Sequence, residues 1–300
     1  MRLRERLEQE FAIRFDDLST DMKICVERIE QHEQPALPDD HGRPDTAVGT
    51  GFDSRLELSD ATRLNSPTDA FPISIGLALS CSQRERVFQL RHDSFVEAGW
   101  ITPQASRAFS DAFDDLPTSV LVEAVADGRA VATLRIAMAT PQSMAPSLPC
   151  EVEFPREIAD VRARTGGRLA EFSRVAIAPD ITNTSFKTTL YGGMVRTAFI
   201  LVWAAGIDYA FAAVHERVSD FYRHMIGFDR LARSSSFGII AEPTELLGCP
   251  GARLFQRAAQ RRSFFHVDAD EIEHARVLLQ RHFPALAVDD GPHARRARSG

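Results

Sequence analysis

The chain has 300 residues, with 35 basic and 42 acidic side chains and 44% hydrophobic residues. This composition is typical of a globular protein with one large domain or two small ones, and it excludes collagen, coiled coils and wholesale disorder. The net charge of −7 argues against a general nucleic-acid binder, because backbone phosphates attract a positive surface.

The acidity belongs to the N-terminal segment. Residues 1–70 hold 9 basic and 16 acidic residues, whereas the other 230 hold 26 of each. Within residues 1–34, apolar side chains at Leu3, Leu7 and Phe11 share the spacing of one face of an amphipathic helix. Residues 35–70, rich in Pro, Gly, Asp, Ser and Thr, are predicted to be a linker or arm.

Further along the chain we expect a folded domain over 71–245, a helical extension over 246–285 and a disordered tail over 286–300. The longest apolar run, residues 198–207, has 10 residues, half of the roughly 20 that a membrane span needs. With no signal peptide either, the sequence predicts a cytoplasmic protein without an integral membrane segment. The four cysteines lie far apart, so we expect no metal site and no disulfide framework.

The domain is predicted to begin with a strand over 72–79 and a helix over Ser82–Gly99, with Ser82 and Glu85 as a capping box. A second short helix is predicted over 103–113. Asp127-Gly128 separates two alternating apolar runs, 119–125 and 130–136, and this pattern indicates a β-hairpin.

After a proline-rich loop, helices and strands alternate. We predict helices near 156–165, 186–205, 217–226 and 268–282, and strands over 169–178, 207–214, 228–232 and 236–241. This order favours an α+β domain with α/β/α layers, in which helices cover one central sheet.

The densest polar group is Glu171-Phe172-Ser173-Arg174, inside a predicted strand. Alternation would direct Glu171 and Ser173 to one face of the sheet and Phe172 and Arg174 to the other. Charged groups in an apolar strand are costly unless they are paired. One alternative is therefore a structural network, in which Glu171 bonds an arginine such as Arg135 on the neighbouring strand.

Other polar residues favour a single site. Arg91 lies on a mainly apolar helix, Arg135 interrupts a strand, and Asp111 and Asp114 follow the second helix. Several charges that look buried, all upstream of one strand, point to one polar site rather than to scattered ion pairs.

These residues in this order resemble the signature of acyl-homoserine-lactone synthases and of long-chain N-acyl amino acid synthases. The resemblance rests on Arg91, Phe95, Trp100, Asp111-x-x-Asp114, Arg135 and Glu171-x-Ser173-Arg174. Both families have the GCN5-related N-acyltransferase fold, a central mixed sheet flanked by helices. Residues 207–228 are similar to the fifth strand and fourth helix of that fold. The resemblance implies this fold here, with an added N-terminal helix.

Two departures from the wider fold family bear on the substrates. Many relatives that use acetyl coenzyme A have a glycine-rich loop whose N–H groups hold the pyrophosphate, but Pro179–Leu190 contains no glycine. An acyl carrier protein, which presents an acyl-phosphopantetheine thioester, is therefore the expected donor. Val175 stands where lactone synthases usually have Phe, which favours the amino acid synthase branch.

The resemblance also implies roles for the candidate catalytic residues. Glu171 would be the general base that deprotonates the acceptor amine, with Ser173 and Arg174 beside it, and backbone N–H groups of the strand would meet the oxyanion. Tyr222 would protonate the leaving thiolate, the alternative being an aromatic residue that only packs on the sheet.

The same resemblance implies the residues that bind substrate. Arg135 and Arg174 would orient Glu171 or bind the carboxylate of the acceptor. Asp111 and Asp114 would hold its amine or order a lid. The lid itself would consist of Arg91, Phe95 and Trp100. We add His215, which ends a strand that points into the expected cleft.

An acidic carrier protein requires a basic surface on its partner. The candidate docking cluster has four arginines and no acid between them: Arg253, Arg257, Arg261 and Arg262. A second, partly balanced cluster holds Arg156, Arg162, Arg164 and Arg168. The alternative is a solvated arginine-rich face, and the acidic first 70 residues are a candidate cover for both clusters.

The sequence thus predicts an N-acyltransferase that joins a fatty acyl group from acyl carrier protein to an amino acid or another small amine, with no tightly bound cofactor. The alternatives are a lactone synthase that uses S-adenosylmethionine, an acyltransferase or acetyltransferase that uses coenzyme A, and a catalytically silent acyl-binding module. We expect apolar residues such as Val195, Phe199 and Val202 to line the acyl pocket.

Overall fold

The computed structural model describes residues 73–143, 146–234, 237, 243–258 and 266–287. The predicted N-terminal helix, the linker and nearly all of the predicted tail lie outside these residues. So do residues 261–262 of the docking cluster and most of the predicted strand over 236–241.

The described strands form one seven-stranded mixed sheet in the order β1-β2-β3-β4-β5-β7-β6. Their bounds are β1 Ile73–Leu77, β2 Ser119–Ala126, β3 Arg129–Ala139, β4 Leu169–Ile177, β5 Tyr209–His215, β6 Asp229–Ser234 and β7 Thr244–Pro250. The pair β4–β5 is parallel, and the other pairs are antiparallel. Because β7 lies between β5 and β6, the sheet continues to Pro250, past the domain end expected at 245.

Helices cover both faces of the sheet. They are α1 Cys81–Glu97, α2 Pro155–Arg164, α3 Thr184–Ala204, α4 Glu216–Phe221, α5 Gly251–Ala258 and α6 Ala269–His282. Short 3-10 turns occur at Ala112–Asp115, Pro149–Glu151 and Pro284–Leu286, and α4 continues as a π turn, Tyr222–Ile226. The α+β class with α/β/α layers is confirmed.

The β2–β3 hairpin forms as predicted. Asp127 and Gly128 both have positive φ, +49° and +72°, as a two-residue type I′ turn requires. Glycine adopts this conformation without a steric cost. The turn sets the first pairs of the hairpin, and a register shift between Ala124 and Val125 then places Leu121 opposite Arg135.

Two local predictions were wrong. Helix α1 is capped by Ser80 and Gln83 rather than by Ser82 and Glu85, because Ser80 offers the same capping-box spacing two residues earlier. No helix forms over 103–111. Instead, the carboxylates of Asp111 and Asp114 accept nearby backbone N–H groups and hold a 3-10 turn at Ala112–Asp115.

The larger core lies between the sheet and helices α3 and α6. Val195, Phe199 and Val202 are buried in it, on the face opposite Ala137 and its register partner Glu171. The expectation that these three residues line the acyl pocket is not met, because the apolar face of α3 packs against the sheet.

The other face of the sheet is covered by α1, by α2 and by the turn that precedes α2. Leu148, Cys150, Phe154 and Ile158 pack there on β3, β4 and β5. Glu171 lies on this face, beneath the turn.

Candidate functional site

A cleft opens between the two parallel strands. The pairing of β4 with β5 ends at Glu171 opposite Phe211. Beyond that point a cavity of about 700 Å³ is lined by residues 172–175 of β4 and 213–215 of β5. The strands therefore diverge, and they give access to the middle of the sheet at the position of the predicted polar group.

A bulge in β4 shapes the wall of this cleft. Thr133 pairs with Ala176 and Arg135 with Ser173, so two residues of β4, Arg174 and Val175, oppose one residue of β3. Arg174 has a φ of +56°, a left-handed conformation that is uncommon outside glycine.

The bulge corrects the predicted alternation of side chains. Arg135 donates to Ser173 Oγ over 3.1 Å and to Asp111 Oδ1 over 2.6 Å. Arg174 donates to Asp111 Oδ2 over 2.7 Å. Ser173 and Arg174 therefore both turn toward this network instead of facing opposite sides, because the extra residue breaks the period of two.

Glu171 is fully buried at the floor of the cleft. Its Oε2 accepts the backbone N–H of Cys150 over 2.6 Å, and its Oε1 has no hydrogen-bond partner among the described residues. Burial raises the pKa of Glu171, although the Cys150 hydrogen bonds and the charges of Arg135 and Arg174 oppose the shift. The alternative bond from Glu171 to Arg135 is not formed, since Arg135 bonds Ser173 and Asp111.

The pKa of Asp111 is shifted in the opposite direction to that of Glu171. Burial alone would raise its pKa, but the charges and hydrogen bonds of Arg135 and Arg174 outweigh burial and hold it at about 2. Its Oδ1 also accepts the N–H of Phe113. Both oxygens of Asp111 are therefore engaged by protein groups, so it binds the two arginines and not an incoming amine.

Arg91 and Asp114 form a support behind the cleft. Arg91 Nη1 donates to Asp114 Oδ1 over 2.8 Å, and the same oxygen lies 3.2 Å from Arg135 Nη1. Both side chains are fully buried, and burial lowers the pKa of Arg91 to about 10. Neither residue lines the cavity, so Arg91 is not part of a lid and Asp114 does not reach a substrate there.

The aromatic side of the cleft contains the other two residues predicted for the lid. Phe95 is buried, while Trp100 is 44% exposed, and both line the cavity. Their ring centroids are 5.4 Å apart, and Phe109 meets Phe95 at the same distance. The guanidinium of Arg174 lies 5.1 Å from the centroid of the Phe109 ring, so the bulge and this wall are in contact.

Tyr222 and His215 border the cavity from the far side. Tyr222 begins the π turn after α4 and packs near Phe228. Burial raises the pKa of Tyr222, partly offset by a hydrogen bond with Tyr191. The phenol therefore keeps its proton at neutral pH and can donate it. His215 ends β5 at the edge of the cleft.

Some lining residues escaped the sequence prediction. Among them are Pro149, Val152, Val218 and Phe237. Cys150, which holds Glu171, also escaped, since its contact includes a backbone N–H group that any residue except proline would provide. The one available signal was the proline-rich stretch around it, which indicated only a loop.

The arginine clusters differ in their partners. Arg253 is paired with Asp229 over 2.6 Å, and no side chain of Arg257, Arg261 or Arg262 is described. In the second cluster, Arg162 pairs with Glu151. Arg168, Arg164 and Arg156 complete this cluster. Arg168 donates to backbone carbonyl oxygens at 205 and 286, Arg164 to one at 160, and Arg156 is exposed.

The described ranges contain no group of three or more His, Cys, Asp or Glu side chains that could hold a metal ion. No helix in the part of the chain that the structure describes is long and apolar enough to cross a membrane.

Comparison with known proteins gives the family. Residues 86–250, more than half of the chain, match the family described as N-acyl amino acid synthase FeeM. No curated protein matches the sequence. The solved structure of FeeM, from uncultured soil microbes, is similar with a TM-score of 0.51 at 14% identity, over 62% of this chain and 95% of that one.

Two further solved structures also align, the acyl-homoserine-lactone synthase LasI and TofI. LasI has a TM-score of 0.46 at 17% identity, over 60% of this chain and 90% of its own. TofI, solved with an inhibitor and MTA, has a TM-score of 0.48 at 19% identity, over 66% and 98%. With the family match and the fold shared with FeeM, this chain belongs to the N-acyl amino acid synthase FeeM family and is an N-acyltransferase.

Proposed function

We propose that the protein transfers a fatty acyl group from an acyl carrier protein thioester to the amine of an amino acid. One observation carries this proposal. The floor of the β4–β5 cleft holds a buried carboxylate, Glu171, one oxygen of which has no hydrogen-bond partner among the described residues, and a protonated phenol, Tyr222, borders the same cavity.

Glu171 is the general base. An amine is an ammonium ion at neutral pH and must lose a proton before it attacks a thioester. The unpartnered Oε1 can accept that proton directly or through a water molecule. A raised pKa makes the carboxylate a stronger base than a solvent-exposed glutamate, provided that it is ionised when the amine arrives.

The chemical step transfers the acyl group from the thioester sulfur to the amine nitrogen. The amine nitrogen attacks the thioester carbonyl, the C–N bond forms, and the C–S bond breaks as the tetrahedral oxyanion collapses. Backbone N–H groups of β4 beyond Glu171, where its pairing with β5 has ended, are the candidate donors to that oxyanion. Tyr222 protonates the departing sulfur, and the second amine proton restores the phenol.

The arginines favour an acceptor that carries a carboxylate. Arg135 lines the cavity and is fully buried, and its Nη2 has no partner among the described residues. The carboxylate of an amino acid would satisfy this spare donor.

The donor site favours a carrier protein over coenzyme A. The first turn of α3 has no glycine, and its backbone N–H at Phe186 is already bound by the side chain of Asn183 over 2.9 Å. A pyrophosphate therefore has no open cradle there. Apolar side chains of Val175, Val214 and Phe237 offer the acyl chain a place inside the cleft.

A donor and acceptor panel tests the proposal. The purified full chain is given a long-chain acyl carrier protein thioester or the matching acyl coenzyme A, with each amino acid in turn, and free thiol and N-acyl product are measured. We expect product from the carrier thioester with amino acids and little with their carboxamides. Product only with coenzyme A would overturn the donor assignment, and product only with S-adenosylmethionine would overturn the acceptor assignment.

A further inference from the structure

A short turn connects the candidate base to the protein surface. This 147–151 turn precedes α2 and places the Cys150 N–H 2.6 Å from Glu171 Oε2. Cys150 and Glu171 are both fully buried. The Cys150 N–H thus holds one carboxylate oxygen, and the other oxygen has no hydrogen-bond partner among the described residues.

The turn is itself held in place by a second carboxylate. Glu151 Oε2 accepts the N–H groups of Ser147 over 2.6 Å and Leu148 over 2.9 Å. Glu151 Oε1 pairs with Arg162 of α2 over 2.5 Å. Burial alone would raise the pKa of Glu151, but these backbone hydrogen bonds and Arg162 lower it, so the carboxylate stays ionised.

This support lies outside the cleft. Glu151 and Arg162 border a separate surface groove beside α2, and Val152 is the residue that borders both this groove and the catalytic cleft. A change at Arg162 therefore leaves the lining of the cleft intact while it loosens the turn.

We propose that Cys150 is a positioning residue for Glu171, that the Glu151–Arg162 ion pair fixes Cys150, and that Oε1 of Glu171 is consequently the oxygen that accepts the proton. This inference rests on the proposed function of Glu171 as the base. It assigns a role in the reaction to three residues that do not touch the substrate.

A loosened turn should change the titration of Glu171. The hydrogen bond from the Cys150 N–H favours the charged carboxylate, so its loss raises the pKa of Glu171. The other charged groups facing Glu171 are Arg135 of β3 and Arg174 of β4. The register partner on β5, Phe211, is uncharged, and the other ionisable residues that line the cavity are Asp111, Glu153, His215 and Tyr222.

The main test compares R162M with R164M. Both replace an arginine of α2, but Arg164 donates only to a carbonyl oxygen of its own helix. The carboxyl band of Glu171 is titrated by infrared difference, with the matching E171Q spectrum subtracted, and kcat and KM are measured from pH 5 to 10.

In R162M we expect a higher Glu171 pKa, an acid limb moved to higher pH, an unchanged KM and a kcat lower by about tenfold, a fraction of what a positioned base contributes. R164M should match the wild type, and R162K should recover part of the loss. An unchanged Glu171 pKa in folded R162M would overturn the proposal.

A second pair of variants covers the case in which R162M does not fold. E151Q removes the charge that pairs with Arg162 and should likewise raise the Glu171 pKa, while E157Q, on α2, should leave it unchanged. No shift in folded E151Q would then overturn the proposal. The infrared titration needs no substrate, so a shifted pKa in a protein that transfers no acyl group would support the positioning role and reject the proposed function.

Discussion

Two carboxylates line the same cleft, Asp111 partly buried and Glu171 fully buried, and their electrostatic surroundings differ. Asp111 is held between Arg135 and Arg174, which keep its pKa at about 2. Glu171 is held on one oxygen by Cys150, and burial raises its pKa. Within the described residues, donors occupy both oxygens of Asp111 but only one of Glu171. We infer from this difference that Asp111 holds the two arginines in place and that Glu171 is available for proton transfer.

Replacing Glu171 should have the largest effect on the reaction. E171Q removes the base and keeps the size of the side chain, so we expect transfer to fall by about 100-fold or more. The wild-type rate should decline below an acid limb that lies above the usual glutamate pKa, since Glu171 must be ionised to accept a proton. Product formation across pH 5 to 9 measures both the rate loss in E171Q and the acid limb of the wild type.

The matched control is E123Q. Glu123 is also a buried strand glutamate, but it pairs with Arg86 and does not line the cleft. Its transfer rate should stay near that of the wild type. Equal losses in the two variants would mean that the effect in E171Q is structural.

Replacing Asp111 should act mainly on stability. D111N leaves Arg135 and Arg174 without their shared counter-charge, and removing one partner of a buried pair costs about 3 kcal/mol of unfolding free energy. The exposed Asp115, paired with Arg84, supplies the control D115N, which should change it by about 0.5 kcal/mol or less. Urea unfolding at pH 7 measures the free energy of unfolding of both variants.

The same comparison has a pH signature. Because the folded-state pKa of Asp111 is depressed to about 2, its contribution to stability is fully present above the usual aspartate pKa and is lost as pH falls toward 2. The stability difference between wild type and D111N should therefore shrink from pH 5 to pH 2. A constant difference over this range would contradict the assignment.

Replacing Tyr222 should have a smaller effect on the reaction. Y222F removes the proton donor to the leaving thiolate, and we expect a loss of about tenfold in kcat, below the range for a fully engaged acid. Tyr209, half-buried against Phe211 and outside the cleft, gives the control Y209F. A donor with a more acidic thiol should lessen the Y222F defect, and an equal defect for all donors would point to packing.

Charge reversal in the docking cluster should have the smallest effect. We expect R257E/R261E to raise the KM for the acyl carrier protein about threefold, most strongly at low salt, because exposed charges steer association and are screened by ions. R276E, on α6 and paired with Glu273, is the control. An unchanged KM at low salt would mean that this cluster does not bind the acyl carrier protein.

Most of the fold could be predicted from local sequence signals. The Asp127-Gly128 turn, the apolar run of α3 and the pattern of α6 each identified their element, because periodicity and turn chemistry act over a few residues. The short helix predicted over 103–113 failed because side chains of Asp111 and Asp114 compete for the backbone. The role of β7 escaped because its insertion between β5 and β6 is a long-range choice.

The sequence predicted most residues of the candidate site, but it did not predict which of them face the cleft and which support it. Charged side chains in apolar segments identified Arg91, Arg135 and Glu171, since burial of a charge demands a partner. Which of them face the cleft depends on the bulge at Arg174 and on the divergence of β4 from β5, neither of which a strand pattern reveals. The contact with Cys150 was hidden because a backbone N–H takes part in it.

The most direct test is a carboxyl titration that compares the two acidic residues. Carbon-13 NMR of the full chain, labelled at Asp and Glu carboxyl groups and assigned with E171Q and D111N, measures both pKa values in one sample. We predict that Asp111 titrates at about 2 and Glu171 above the usual range for glutamate. A Glu171 pKa at or below that range would contradict the claim that this carboxylate is set apart as the base.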